Sequence, residues 1–162
     1  MLKNKISLLV LTALLALSNF SALAIAGTTP AVNTNYEQMV VQLVNAERQK
    51  NGLPALYLDS NISDVARTKS QDMAVNKYFA HYSPTYGMAS DMLLKFGITW
   101  TAWGENIASG QDTPEVVVSE WMNSPSHREN ILSTNFTFIG VGYYVDSSGT
   151  PYWTQMFTDD NK

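Results

Sequence analysis

The sequence predicts an α+β fold in which helices cover a small antiparallel sheet. Three observations lead there. From about residue 35 to residue 132, apolar residues recur at helical spacing in segments that open on capping residues. The period then changes: FIGVGYYV (138–145) and PYWTQMF (151–157) flank Asp146-Ser147-Ser148-Gly149, the pattern of a β-hairpin. Two strands alone are marginally stable in water, so the helices must supply the apolar surface beside them.

The first 26 residues stand apart. Lys3 and Lys5 precede an apolar run from Ile6 to Leu17, and Ala24-Ile25-Ala26 is a small-x-small cleavage pattern, so residues 1–26 read as a secretory signal peptide. No second long apolar run follows, and the product is expected to be secreted and extracellular, with no stable membrane anchor after cleavage. Residues 27–33 (GTTPAVN) read as a polar spacer and residues 34–162 as one domain.

Within that domain, Thr34 and Glu37 form the pattern of a capping box. Met39, Val40, Leu43, Val44 and Glu47 then recur at helical spacing until Gly52 and Pro54 end the run, so the first helix is expected over about 35–51. LPALYLD (53–59) reads as a tight connection with buried apolar residues. Ser60 opens a second helix to about Lys77, with Ile62, Val65, Ala66, Met73 and Ala74 on one face. FAHYSPTYG (79–87) is broken by Pro84 and Gly87 and reads as a loop, and Ser90 caps a short helix over 91–96. ITWTAWGENIASG (98–110) is aromatic and irregular, with room for a short extended piece. Thr113-Pro114-Glu115 combines a cap, proline at the first helical position and an acid at the positive end of the dipole, and a further short helix holds His127 to Leu132. Gly140 and Gly142 fall on one face of the first hairpin strand and leave a trough in which a helix packs closely or a ligand approaches.

Composition excludes several functions. Without residues 1–26, and so without Lys3 and Lys5, the chain carries 8 basic and 14 acidic residues, a net charge of −6. With no Lys/Arg cluster, nucleic acid and anionic lipid surfaces are poor partners. The absence of cysteine removes thiol chemistry and Cys-ligated metals, and leaves packing as the source of stability.

Four segments place polar residues among apolar and aromatic ones: AHYSP with His81, WGENIA with Glu105 and Asn106, SPSHRENIL with His127, and YWTQMF with Gln155. Two imidazoles and a carboxylate suffice to bind a divalent cation or to run general acid–base chemistry. His81 and His127 are the candidate metal ligands, and neutral imidazoles favour zinc over magnesium. The spacing brings none of these residues together, unlike an HExxH helix, so each histidine also reads as an ordinary structural residue. Ser83 and Ser126 lie near histidines in sequence and raise a Ser–His nucleophile pair.

The ordered series AHYSP, GENIA, a Trp-bearing helix followed by SPSHRENIL, IGVG and YWTQ resembles the CAP superfamily of cysteine-rich secretory, antigen 5 and pathogenesis-related 1 proteins. It is most similar to the compact, cysteine-free bacterial members of SCP type, over residues 36–157. The resemblance implies a three-layer α-β-α sandwich with the scattered polar residues converging in one cleft. His81 matches the first cleft histidine, Glu105 the glutamate of the Gly-Glu-Asn motif, and His127 the second histidine. Asn106 and Gln155 are then expected to orient the cleft. Many members carry a second glutamate at the place of Ser124; Glu120 lies one turn earlier, about 6 Å along the helix axis, and whether it substitutes is open. Ser126 and Met156 are smaller departures.

Three functions remain open on these residues. The first is a binding module whose aromatic residues Tyr78, Tyr82, Tyr86, Trp100, Trp103 and Trp121 enclose a lipid, sterol, peptide or glycan ligand. The resemblance implies lipid or sterol binding in some members and a cleft metal in several. The second is a hydrolase acting on protein or cell-wall material, with zinc-activated water. The third is an extracellular interaction protein without chemistry.

Overall fold

The computed structural model describes residues 33–159. The expected signal peptide, the spacer apart from Asn33, and residues 160–162 lie outside them. Five helices and four strands follow in the order α1 (Thr34–Lys50), β1 (Tyr57–Leu58), α2 (Ser60–Asn76), α3 (Ala89–Lys95), β2 (Trp103–Ser109), α4 (Pro114–Asn123), α5 (Pro125–Leu132), β3 (Phe138–Val145) and β4 (Pro151–Thr158). The sheet runs β1-β3-β4-β2. The α+β expectation holds, and so does the hairpin: β3 and β4 pair antiparallel from Phe138↔Thr158 to Val145↔Pro151. The sheet is mixed rather than purely antiparallel, because β1 joins β3 in parallel.

Residues directly opposite each other across the ladders share a face, and the register therefore sorts the layers. Ile139 and Val141 of β3 share a face with Phe157, Gln155 and Trp153 of β4 and with Asn106 and Ala108 of β2. That face packs against Val40, Val41 and Val44 of α1, Val117, Val118 and Trp121 of α4, and Ile131 of α5. The opposite face carries Met156 and Thr154 of β4 and Glu105 and Ile107 of β2, with Gly140 and Gly142 of β3. Ile62, Val65 and Ala66 of α2 and Met92 and Leu93 of α3 cover it.

The two glycines of β3 are what let α2 lie so close. A Cβ on Gly140 would collide with the backbone of Ile62 and Ser63, and one on Gly142 with that of Ala66 and Arg67. The trough is filled by a helix. Ser70 anchors it, its hydroxyl donating to Gly142 O at 3.1 Å and standing 2.9 Å from Thr154 Oγ1.

Local signals were outranked at several points. Asn33, not Thr34, caps α1, accepting from Tyr36 N. Glu37 is buried instead of closing a capping box; it accepts from Arg67 Nε at 2.8 Å and from Tyr143 N at 3.1 Å, joining α1 to α2 and the sheet. The short helix starts at Ala89, and Asp91 accepts from Met88 N where Ser90 was expected to cap. In LPALYLD only Leu56 is buried, while Tyr57 and Leu58 stand exposed on the edge strand. Met39, placed on an apolar helix face by its spacing, also faces solvent, as does Val116 of α4. The largest difference is 98–110, which holds a seven-residue strand, β2, paired along its whole length with β4.

Candidate functional site

His81 lies in the connection between α2 and α3, and a buried polar hub holds that connection in place. Asp72 of α2 accepts from Asn76 Nδ2 (2.7 Å) and Thr85 Oγ1 (2.8 Å) on one oxygen. Its other oxygen accepts from Ser83 Oγ (2.7 Å) and the Tyr78 hydroxyl. Burial alone would raise the Asp72 pKa, but the hydrogen bonds outweigh it and hold the carboxyl below its ordinary range. Ser83 Oγ in turn accepts from Thr85 N and Tyr86 N, and Ser83 and Gly87 exchange backbone bonds at 2.8 and 2.9 Å. Lys69, fully buried, donates to His81 O at 2.5 Å and lies 5.3 Å from the Tyr78 ring centroid. His81 is thus tied down through its own carbonyl and both flanks.

Glu105 comes up from β2 to meet it. The carboxylate is buried, with Oε1 2.6 Å from His81 Nδ1 and Oε2 without a hydrogen-bond partner. The pairing occupies Nδ1 of the half-exposed His81 ring and leaves Nε2 for another partner.

His127 arrives from the other layer, in the first turn of α5, where Pro125 fits the helix start. A run of amides ties this turn to the sheet. Asn106 Nδ2 donates to His127 O (3.0 Å) and Gln155 Oε1 (3.1 Å), and Asn130 Nδ2 donates to Asn106 Oδ1 (2.8 Å) and Glu105 O (3.1 Å). Asn106 and Gln155, paired directly across β2 and β4, lie on the α5 side of the sheet. Burial, and then the nearby His81, lower the His127 pKa. The imidazole is therefore held neutral at pH 7, with a lone pair to offer.

Between the two layers, along the outer edge of β2, lies a cleft of about 440 Å³ lined by His81, His127, Ile107, Trp121, Gln111 and Glu120, among others. Glu120 therefore shares the cleft with both histidines, its Oε2 accepting from Gln111 Nε2 at 2.6 Å. Of the six aromatic residues expected around a ligand, Trp121 lines this cleft, together with Phe79. Trp100 and Trp103 pack edge to face at 6.1 Å beside the α2–α3 core, and Tyr78 belongs to the Asp72 hub. Ser83 is fully buried with its hydroxyl committed to Asp72, and Ser126 Oγ stands 3.4 Å from Ser124 Oγ, so neither serine makes a hydrogen bond with a histidine. Lys69, Asp72, Asn130 and Gln111 are parts of the arrangement that sequence reasoning missed.

Among the described residues, no three or more His, Cys, Asp or Glu side chains are arranged to hold a metal ion. Catalytic zinc sites use three protein ligands plus water. The arrangement instead offers two imidazole donors, one of them steered by a buried carboxylate.

These features define a class: a helix–sheet–helix sandwich whose cleft takes one histidine from each outer layer, one of them bonded to a buried glutamate of the sheet between them. The profile of the cysteine-rich secretory protein family, CAP, matches residues 41–157, and the chain belongs to that family. The Bacillus subtilis (strain 168) protein YkwD is 55% identical over 130 residues, covering 80% of this chain and 49% of that protein. The membrane protein YlbC of the same organism is 36% identical over 126 residues, covering 78% and 35%. The chain thus spans half or less of these two relatives. Among solved structures, an extracellular SCP-domain protein from Bacillus anthracis matches at 35% identity and a TM-score of 0.74, over 78% of this chain and 41% of that one. An outer surface protein from Borrelia burgdorferi shares the fold at 22% identity and a TM-score of 0.70, over 75% and 90%.

Proposed function

We propose that this CAP domain acts outside the cytoplasmic membrane as a ligand-binding module, with the His81–Glu105–His127 cleft as its site. The location is supported by the signal-like residues 1–26 and by the Bacillus anthracis neighbour, which is described as extracellular. One observation carries the site: a buried carboxylate bound through Oε1 to His81 while Oε2 has no hydrogen-bond partner. Buried polar atoms are nearly always paired, and one left unpaired behind a histidine that lines a cleft suits a site that is completed on binding.

Zinc is proposed as a cleft ion held by the imidazoles of His81 and His127, solvent or ligand completing its coordination. Bound there, it would act as a Lewis acid toward an oxygen donor. Glu105 orients His81 through Nδ1, the usual task of a carboxylate behind a metal-binding histidine. With two protein donors, binding is expected to be weaker than at a structural zinc site, and no hydrolytic step is assigned.

Zinc titration by calorimetry, with imidazole NMR resonances followed in parallel, tests the reading. One site is expected to saturate and to move both rings. His81→Ala or His127→Ala should cost at least tenfold in affinity, and Glu105→Gln about tenfold, as for other carboxylate partners of metal-binding histidines. Ring resonances that stay still at saturating zinc would sink the metal proposal.

A further inference from the structure

The outer edge of β2 is open where it meets the cleft. Gly110 N donates to Pro151 O and Asp159 N to Ala102 O, which sets the even-numbered residues of this stretch with their backbone groups toward β4. The odd-numbered residues turn theirs outward. Their carbonyls are partly taken: Asn130 Nδ2 donates to Glu105 O at 3.1 Å and Trp121 Nε1 to Ile107 O at 3.2 Å. The outward N–H groups of Ile107 and Ser109 have no acceptor among the described residues, and both residues line the cleft.

We propose that the cleft receives an extended, basic polypeptide laid along β2, its backbone carbonyls accepting from Ile107 N–H and Ser109 N–H. The inference rests on the reading of the cleft as a ligand site and names the class of ligand. Donors two residues apart on a strand lie about 6.7 Å from each other, the repeat at which a second extended chain presents carbonyls along one edge. A lipid tail carries no acceptors at that repeat. Exposed strand edges are ordinarily shielded against pairing; here the α2–α3 connection and α4–α5 flank the edge and leave a seat between them. Charge selects among peptides: Glu120 lines the cleft, no Lys or Arg among the described residues does, and the whole chain is acidic at −4. The apolar wall of Phe79, Ile107 and Trp121 suits alternate apolar side chains.

The test uses a capped heptapeptide of alternating lysine and valine, titrated into isotope-labelled protein. The amides of Ile107 and Ser109 are expected to shift saturably, and their hydrogen exchange to slow at least tenfold. Ser109→Pro removes one outward donor without touching the β4 ladder, a place where strands tolerate proline. It should weaken binding at least tenfold, and far more than Ser109→Ala, which keeps the backbone donor. A folded Ser109→Pro protein that binds undiminished would overturn the proposal. So would unchanged exchange at Ile107 and Ser109 with both this peptide and its glutamate–valine counterpart, a readout that needs no variant. Tighter binding of the glutamate peptide, or displacement of the lysine peptide by a fatty acid with no amide shift at these positions, would overturn it too. If zinc still moves the His81 and His127 rings when the peptides fail, the cleft reading stands and this inference falls alone.

Discussion

Replacing Asp72 by asparagine tests how the fold positions His81. The carboxylate accepts four hydrogen bonds, two on each oxygen. An asparagine retaining Oδ1 still accepts from Asn76 and Thr85, but sets an NH₂ group against Ser83 and Tyr78. The Tyr78 hydroxyl can turn and accept. Ser83 has less freedom, because its oxygen already accepts from Thr85 N and Tyr86 N and its proton is directed at Asp72 Oδ2. A bond to a charged acceptor contributes about 1.5–3 kcal/mol, and the buried hydroxyl left facing a donor costs about 1–3 kcal/mol more. The expected loss is about 3 kcal/mol, or roughly 1–3 M in urea midpoint at an unchanged slope. The pH dependence adds a second check. The Asp72 pKa is lowered in the fold from 3.8, so its contribution is fully present above that value and fades as pH falls through the lower, folded-state value. The gap between wild type and Asp72→Asn should therefore narrow in strong acid. The His81 ring resonances should also broaden, since the connection that carries His81 loses its anchor. An unfolding free energy from urea within about 0.5 kcal/mol of wild type, or a gap as large at pH 2 as at pH 6, would refute the reasoning.

Gly142→Ala should cost about 3 kcal/mol and about 10 °C in melting temperature by calorimetry, because the added methyl meets α2 backbone rather than a side chain that can turn away. Asn130→Ala removes the bonds to Glu105 O and Asn106 Oδ1 and is expected to cost about 1–3 kcal/mol by urea unfolding, with exchange broadening confined to α5 and the His127 ring. The His127 pKa lies below its ordinary 6.5 in the fold, so the unfolded chain takes up its proton first as pH falls. Stability in zinc-free buffer should thus decline as pH drops from 6.5 toward the folded value, and His127→Gln should flatten that slope in urea midpoints.

How much of this was legible from sequence depended on how far away each residue's partners lie. The hairpin, the apolar face of α2 and the Thr113-Pro114-Glu115 start of α4 rest on residues a few positions apart, and local rules found them. The strand β2 was hidden because Gly104 to Ala108 are all buried, lying between helical layers on both faces, so no polar–apolar alternation marks it. Glu37 carried a capping signal that a guanidinium 30 positions away overrode. Arg48 sits on a helix that reads as amphipathic, yet it is fully buried and donates to the carbonyls of Pro54, Ile131 and Ser133.

The same principle explains why the candidate site was only half visible. His81, Glu105 and His127 could be named from motifs, but the groups that set their positions read as solvated helix surface. In ARTKSQD (66–72), Lys69 and Asp72 belong to a polar run on α2, where exposure is the natural expectation. Both are buried under the His81 connection. Burial lowers the Lys69 pKa, and the charges of Glu105 and Asp72 work against that shift. An ammonium in such a place is tolerable only because two carboxylates from different elements and the His81 carbonyl are there to meet it. Those partners come from the end of α2, the following connection and an outer strand more than thirty residues on, so this arrangement follows from the assembled layers and from no local pattern.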